Sequence, residues 1–190
     1  MPEIREVIIT TRREDGSTHI TPMGVHVLEN SLMLAPFKPS TTLDNLQRHK
    51  EAVINYTDDV RVYAGSITGR WQWPTTEADT IETPRLQNCL AHSEIVVDRF
   101  EEDKIRPRFF CREIHTSTHT PFRGFNRAQS AVIEAAILCT RLHMLPKEKI
   151  NDELAYLKIA IEKTAGPREQ EAWEWLIAAI EEHRNKESST

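Results

Sequence analysis

The chain has 190 residues, enough for one sizeable core or two small ones. Its 24 basic and 29 acidic residues give a net charge of −5, which argues against a general basic surface for nucleic acid. The three cysteines lie in no Cys-x-x-Cys frame, and no apolar run approaches the ~18 residues that a membrane helix needs. We therefore expect a soluble cytoplasmic protein with no disulfide framework, thiolate zinc site, nucleic-acid partner or membrane partner.

The first ~120 residues show the period-two alternation and turn residues of antiparallel strands. A β-branched run at 7–11 precedes Asp15-Gly16, which predicts a hairpin because glycine tolerates positive φ. Further strands are predicted at 19–28, 32–35, 52–56, 60–67, 95–97 and 109–114, and a short helix at 84–90. Six or more strands before residue 120 favour a small barrel, since closure removes exposed edges.

A hydroxyl-rich corner follows the third strand, where Pro39 precedes Ser40, Thr41 and Thr42. Ser40 or Thr41 can N-cap a short helix running to about residue 49. Hydroxyls, free helix N–H groups and the ammonium of Lys38 form a donor set suited to a phosphate monoester. The corner therefore predicts a site for a phosphate group, with an ordinary capped helix as the alternative.

The remainder of the chain has helical spacing. Asn126 can cap a helix that runs to about residue 144, and a second amphipathic helix spans about 150–161. Gly166 and Pro167 then end one helix and begin the next. These three helices predict a C-terminal bundle, so we divide the chain into a barrel domain at 1–120 and a helical domain at 121–186.

One histidine pair has the spacing of metal ligands on a helix, His115 and His119. The intervening threonines and serine and the following Pro121 favour extended chain, which would separate the two rings by about 13 Å. We therefore assign no metal ligands. His19, on a predicted strand, is either a donor or proton shuttle beside a bound ligand or a half-buried histidine satisfied by a partner within the protein.

Several motifs spread over nearly the whole chain carry a family resemblance. They are Gly16-Ser-x-His19, Thr21-Pro-Met-Gly-Val25, Pro36-Phe-x-x-Ser40-x-Thr42, Asn55-x-Thr57-Asp-Asp-Val60 and Pro121-Phe-x-Gly-Phe-Asn-Arg-Ala128. With these the chain resembles the family catalogued as domain of unknown function 447. The resemblance implies an α+β protein in which an antiparallel, flavin reductase-like split β-barrel that binds FMN precedes a small three-helix domain. It also implies a homodimer with FMN near its interface.

The resemblance also implies roles for particular residues. Lys38, Ser40, Thr41 and Thr42 would hold the FMN phosphate, and His19 would lie near the cofactor. The strand residues Thr21, Met23, Gly24 and Val25 would run beside the ring system. Asn55, Thr57 and Asp58 would reach the ring or the ribityl chain, or would instead bond their own backbone in a strand-ending turn.

Two functions remain open at this point. The first is a flavin-dependent oxidoreductase acting on a small redox carrier or metabolite, in which FMN supplies the reactivity. The absence of a Gly-x-Ser-x-Gly elbow, a Walker loop and a zinc signature favours a bound cofactor over side-chain catalysis, and no catalytic residue is assigned. The second is a non-catalytic FMN-binding or sensing module whose helical domain engages a partner.

Overall fold

The structure, a computed structural model, describes residues 3–188. The strands in chain order are β1 (Glu3–Arg12), β2 (Thr18–Val27), β3 (Leu32–Leu34), β4 (Glu51–Tyr56), β5 (Thr75–Thr76), β6 (Arg85–Leu86), β7 (Ala91–Glu101) and β8 (Arg108–Thr118). The helices are α1 (Thr41–His49), α2 (Arg61–Ile67), α3 (Arg127–Cys139), α4 (Lys147–Thr164) and α5 (Pro167–Ser188).

Six of the strands form a closed antiparallel barrel in the order β1-β2-β3-β8-β7-β4. The β1–β2 hairpin turns at Gly16, whose φ of 82° is the positive value expected for a glycine turn. The barrel interior is filled by alternating apolar side chains of these strands. They include Val7, Ile9, Val25, Leu34, Ile54, Ile95 and Phe109. The α+β fold with an antiparallel barrel is therefore confirmed.

Helix α1 packs on this barrel through its apolar face. Leu43 and Leu46 belong to the barrel core, and Asn45 donates to the buried hydroxyl of Thr11 over 3.0 Å. The helix begins where the sequence predicts, because Ser40 has extended backbone and its Oγ accepts from the Leu43 N–H at 3.3 Å. The predicted cap is thus confirmed, and it places the hydroxyl-rich corner beside β2.

An excursion of the chain between α2 and β7, residues 73–90, contains only the two-residue strands β5 and β6, which pair with each other. The predicted helix at 84–90 is wrong. Residues 85–86 pair with β5 instead, and the Leu86 N–H donates to the side-chain oxygen of Asn55 on β4 at 2.7 Å.

The described residues divide into two compact units, one holding residues up to 57 and 73–122 and the other holding 58–72 and the chain from 123 onward. In the second unit α2 packs against α3 and α5. The predicted strand at 60–67 is wrong, because α2 occupies this segment. Residues 62–65 are all buried, whereas side chains of a half-buried strand would alternate between buried and exposed. The predicted cap at Asn126 and the predicted helix start at Pro167 are confirmed.

All three cysteines are free thiols, and burial raises the pKa of each. Cys89 lies in the excursion, Cys111 in the barrel core and Cys139 at the end of α3. The pKa reaches about 12 for both Cys111 and Cys139. Among residues 3–188, no helix combines the length and apolar character needed to cross a membrane.

Candidate functional site

The N-terminus of α1 presents backbone donors at the hydroxyl-rich corner. Ser40 satisfies the Leu43 N–H, and the Ser40 carbonyl accepts from the Asp44 N–H at 3.2 Å. Within the described chain, the N–H groups of Thr41 and Thr42 have no hydrogen-bond partner, as expected for the first turn of a helix. Two N–H groups at the positive end of a helix dipole favour an anion at this position.

His19 connects β2 to this helix end. Its Nε2 lies 3.1 Å from the Thr42 hydroxyl, and its Nδ1 lies 3.2 Å from a guanidinium nitrogen of Arg13. Burial, and to a smaller extent the charge of Arg13, lowers the pKa of His19 to about 4. The neutral ring therefore accepts from Arg13 at Nδ1 and donates from Nε2 to Thr42.

Arg13 is the cation of this corner, and the sequence analysis did not identify it. Besides His19, its guanidinium donates to the Thr18 carbonyl at 2.8 Å and to the Ser17 hydroxyl at 3.3 Å. These bonds fix its charge across the β1–β2 turn. The signal in the sequence is the hairpin itself, because pairing around Gly16 sets Arg13 across the turn from residues 17–19.

The backbone of β2 supplies an open edge next to the corner. On one side β2 pairs with β1 along its whole length, but on the other it pairs with β3 only at His26 and Val27. From Thr18 to Val25, no described strand pairs with that second edge. The strand therefore has unsatisfied backbone groups on that side, as an edge strand does.

The predicted ring-contacting residues lie along this open edge. Val25 and Met23 direct their side chains into or against the barrel core, so only their backbone faces the edge. Gly24 lies opposite Glu6, where an added Cβ would stand 2.8 Å from the Ile4 Cγ2 atom. A side chain at Gly24 would therefore clash with β1, which gives this glycine a packing requirement of its own.

Lys38 pairs its ammonium with an acidic side chain in this structure. Its Nζ lies 2.7 Å from a carboxylate oxygen of Glu102, in a pair whose side chains are 47% and 58% exposed. Nearby, the Arg106 guanidinium lies 4.5 Å from the ring centroid of Phe37, which is exposed. The assignment of Lys38 to a phosphate stays a prediction.

A groove of about 440 Å³ opens beside α1 on the side of the β1–β2 turn. It is lined by Arg13, Glu14, Asp15, Thr41, Asp44, Asn45 and Arg48. Its lining holds two guanidinium groups and three carboxylates, and Arg48 pairs with Glu14 at 3.3 Å. Its volume lies within the range of small-molecule sites, and it shares Thr41 and Arg13 with the corner.

The three remaining predicted cofactor residues lie at or after β4. Asn55 is fully buried; its amide nitrogen donates to the Ile8 carbonyl and the Thr10 hydroxyl, both at 3.2 Å, and its oxygen accepts from Leu86. Its side chain thus holds the excursion on the barrel. Thr57 follows β4, which β1 separates from β2, and Asp58 begins the helical unit. For all three residues the cofactor role stays a prediction.

A second polar cluster lies on the wall formed by β7 and β8. The predicted extended conformation at 115–118 is confirmed, and His115 and His119 have different partners. His115 Nε2 is 2.9 Å from an Asp79 carboxylate oxygen, whereas His119 Nε2 is 2.9 Å from His92 Nδ1 in a nearly coplanar pair of rings. The sequence analysis missed His92, Asp79 and Glu94, which are separated along the chain and meet through strand pairing.

Solved structures of other proteins share this architecture. The FMN-bound protein MM1853 from Methanosarcina mazei gives a TM-score of 0.81 at 19% identity, covering 94% of this chain and 96% of that chain. Two further proteins match only part of the chain. These are the 2-nitrobenzoate 2-nitroreductase NbaA from Pseudomonas fluorescens (TM-score 0.53, 15% identity, 63% of this chain and 66% of that chain) and flavoredoxin from Methanosarcina acetivorans (0.52, 16%, 63% and 69%).

A comparison with curated proteins found no match. The structural likenesses confirm the predicted split-barrel fold, and MM1853 carries the same family label that the motifs indicated. Models of the N-terminal and C-terminal domains of the proteins of unknown function DUF447 match residues 5–120 and 126–178, so the chain belongs to that family.

Proposed function

We propose that this protein binds FMN and acts as a flavin-dependent oxidoreductase on a small redox carrier or metabolite. The observation that carries the proposal is that two sets of free backbone groups lie next to each other, in the first turn of α1 and on the unpaired edge of β2. The 3.1 Å contact between His19 Nε2 and the Thr42 hydroxyl links the two elements. The fold of the FMN-bound family member MM1853 supports the choice of cofactor.

The corner fits a phosphate monoester. Thr41 and Thr42 offer two free N–H groups, and the Thr41 side chain is exposed. Arg13 brings a fixed positive charge next to Thr42 through the intervening imidazole of His19. Helix N–H groups and a nearby guanidinium are the kinds of donor that hold a phosphate near-dianion.

The ring system fits the open edge of β2. The unpaired edge of β2 between Thr21 and Val25 offers backbone groups to the polar edge of an isoalloxazine. The ring would hydrogen-bond to them as an added strand does. Met23 and Val25 anchor that strand in the barrel core, so the edge is held rigidly. The role of the chain is then to orient the ring and to fix its polar contacts.

When bound, FMN supplies hydride or electron transfer, and the protein supplies binding and orientation. The state of His19 agrees with this division of roles, because its ring is neutral and is held by hydrogen bonds to Arg13 and Thr42. Such a ring fixes the Thr42 hydroxyl and does not exchange protons readily near neutral pH, because burial and Arg13 lower its pKa to about 4.

We further propose that the protein is a homodimer with the cofactor near its interface. Two apolar side chains next to the corner support this: Phe37 is 60% exposed and Ile105 is 64% exposed. The Lys38 N–H donates to the Ile105 carbonyl at 2.9 Å, so both residues belong to one local surface. Exposed apolar side chains grouped at one place are typical of an interaction surface.

The test is a visible absorption spectrum of the purified protein, followed by FMN titration of the wild type, Arg13→Gln and Lys38→Ala. We expect uptake of FMN, an affinity at least tenfold lower in Arg13→Gln, and a smaller loss in Lys38→Ala because its ammonium already pairs with Glu102. Arg112→Gln, an exposed cation paired with Asp98, is the matched control.

A protein that purifies without colour and takes up no FMN would contradict the cofactor assignment. The loaded protein is then mixed anaerobically with reduced nicotinamide, a reduced pterin and a reduced deazaflavin. Bleaching by one of these donors supports the oxidoreductase, whereas FMN uptake with no bleaching favours the non-catalytic binding module. Light scattering of the loaded protein tests the homodimer.

A further inference from the structure

Four side chains of metal-ligating type converge on the outer surface of the β7–β8 wall. They are Asp79, His92, Glu94 and His115, and one ligand atom from each lies within 4.8 Å of the others. His92 and Glu94 are fully buried, His115 is half-buried and Asp79 is exposed. All four belong to the barrel unit.

Strand register brings three of these residues together. Ile95 packs in the barrel core, so the alternation along β7 turns His92 and Glu94 to the outer face. His115 on β8 lies directly opposite Glu94. A bulge precedes it, because Ile95 pairs with Glu113 and leaves Ile114 as an extra residue, and bulges of this kind redirect neighbouring side chains.

Asp79 comes from the excursion, and Glu94 fixes its position. One Glu94 oxygen accepts from the Asp79 N–H at 2.5 Å, and the other accepts from the Thr80 N–H at 2.9 Å and from the Thr80 hydroxyl. These bonds tie the loop that carries Asp79 to the Glu94 carboxylate.

The separations between the ligand atoms match the coordination shell of a small ion. His92 Nε2 is 3.2 Å from Glu94 Oε1 and 3.6 Å from Asp79 Oδ2, and His115 Nε2 is 2.9 Å from Asp79 Oδ2. Ligands of a tetrahedral zinc ion at its usual bond lengths stand about 3.3 Å apart. Small side-chain adjustments would therefore place all four ligands around one ion.

The surroundings of His92 also match those of a metal ligand. Its Nδ1 lies 2.9 Å from His119 Nε2, so an Nδ1–H can donate to His119 and leave the Nε2 lone pair directed into the cluster. A hydrogen bond from the second ring nitrogen is what orients metal-bound histidines. Two carboxylates in one cluster also provide negative charge that a bound divalent cation balances.

We propose that Asp79, His92, Glu94 and His115 bind a divalent transition-metal ion of the zinc type, which fixes the segment around Asp79 and Thr80 on the barrel. Two imidazole and two carboxylate ligands favour such an ion over Mg²⁺ or Ca²⁺, which prefer oxygen ligands alone. Because the protein fills all four positions, the role is structural.

This site is independent of the proposed cofactor site. In the barrel order, β7 is three strands from β2 in either direction, so the two clusters lie on opposite walls. The alternative within the cluster is a pair of imidazole–carboxylate hydrogen bonds, His115 with Asp79 and His92 with Glu94, that involves no ion. Zinc binding by purified protein separates the two.

The experiment titrates chelator-treated, dialysed full-length protein with Zn²⁺ by calorimetry. We expect one ion per chain and at least a tenfold loss of affinity in Asp79→Asn and in His115→Ala, both at partly exposed positions. The matched controls are Asp98→Asn and His143→Ala, which change an exposed aspartate and an exposed histidine outside the cluster. Circular dichroism confirms that each variant is folded.

Hydrogen exchange of the same samples provides a second measurement. Zn²⁺ should slow exchange in the peptide that contains Asp79 and Thr80 in the wild type and in the two controls, but not in Asp79→Asn or His115→Ala. Failure of the wild type to bind Zn²⁺ would overturn the proposal, as would equal affinity in the ligand variants, loss of binding in His143→Ala, or exchange that the ion leaves unchanged.

Discussion

The two walls of the barrel carry polar clusters of opposite design. At the β2 wall, Thr41 and Thr42 present backbone donors that no described part of the chain satisfies, next to a strand edge that is also open. At the β7–β8 wall, Glu94 and His92 are buried and each has partners within the chain. An open donor set suits a large anionic ligand, whereas a closed set of side-chain ligands suits a small cation.

The largest effect is expected from Asn55→Ala, which should affect ligand binding at the β7–β8 wall but not at the β2 wall. Its amide bonds Ile8, Thr10 and Leu86 at a fully buried position, so we expect the free energy of unfolding to fall by about 2–4 kcal/mol. Because the excursion loses its tie to β4, zinc affinity should also fall, while FMN affinity per folded molecule should be unchanged.

Denaturant unfolding with ligand titrations measures these changes, and the exposed Asn30→Ala should alter stability by no more than about 0.5 kcal/mol. A large loss of FMN affinity in folded Asn55→Ala would assign Asn55 to the cofactor wall instead.

A smaller effect is expected from Thr42→Val, which acts on the β2 wall. The substitution keeps the shape of the side chain but removes the hydroxyl that accepts from His19 at a position only 3% exposed. We expect a stability loss of about 1 kcal/mol and about a tenfold weaker binding of FMN. Zinc affinity should not change. The exposed Thr120→Val serves as control, and equal FMN affinity in Thr42→Val would contradict the role of this corner.

The smallest effect is a pH dependence that belongs to the β2 wall alone. Burial and Arg13 lower the pKa of His19 to about 4 in the folded protein, whereas its ordinary pKa in the unfolded chain is near 6.5. Below about pH 6.5 the unfolded chain therefore binds more protons at this residue than the folded protein does. The stability contributed by neutral His19 is therefore complete above about pH 6.5 and is lost as the pH falls toward 4.

Comparison of the wild type with His19→Gln at several pH values separates the contribution of His19 from that of the carboxylates, which titrate in both proteins. The difference in unfolding free energy between the two proteins should shrink on acidification. The size is limited because the ring is partly exposed to solvent. A difference that stays constant between pH 7 and pH 4 would show that His19 is not held neutral.

Local signals in the sequence predicted the hairpin at Gly16, the cap at Ser40 and the helix starts at Asn126 and Pro167. In each case a short-range requirement, a positive φ or an unsatisfied N–H group, is met by the residue type itself. The segment 60–67 was predicted wrongly because Val60, Val62 and Ala64 alternate, and packing against α3 and α5 selected a helix.

The candidate sites depended on longer-range geometry. The phosphate corner was predicted because a cap and its hydroxyls are contiguous in the chain, whereas the contact between His19 and Thr42 requires β2 to lie beside α1. The β7–β8 cluster could not be predicted, since Asp79 and His115 meet only through the strand register, the bulge at Ile114 and the path of the excursion. Each of these is a product of tertiary packing.

The three thiols, of which Cys89 and Cys111 are buried and Cys139 is half-buried, are internal reporters of local opening. A thiol must ionise before it can be alkylated, and burial holds Cys111 and Cys139 at a pKa of about 12, so both are nearly inert while the surrounding structure is closed. Cys89 sits in the excursion, Cys111 in the barrel and Cys139 in the helical unit. The labelling rate of each sulfur thus measures how often its own region opens, without any engineered probe.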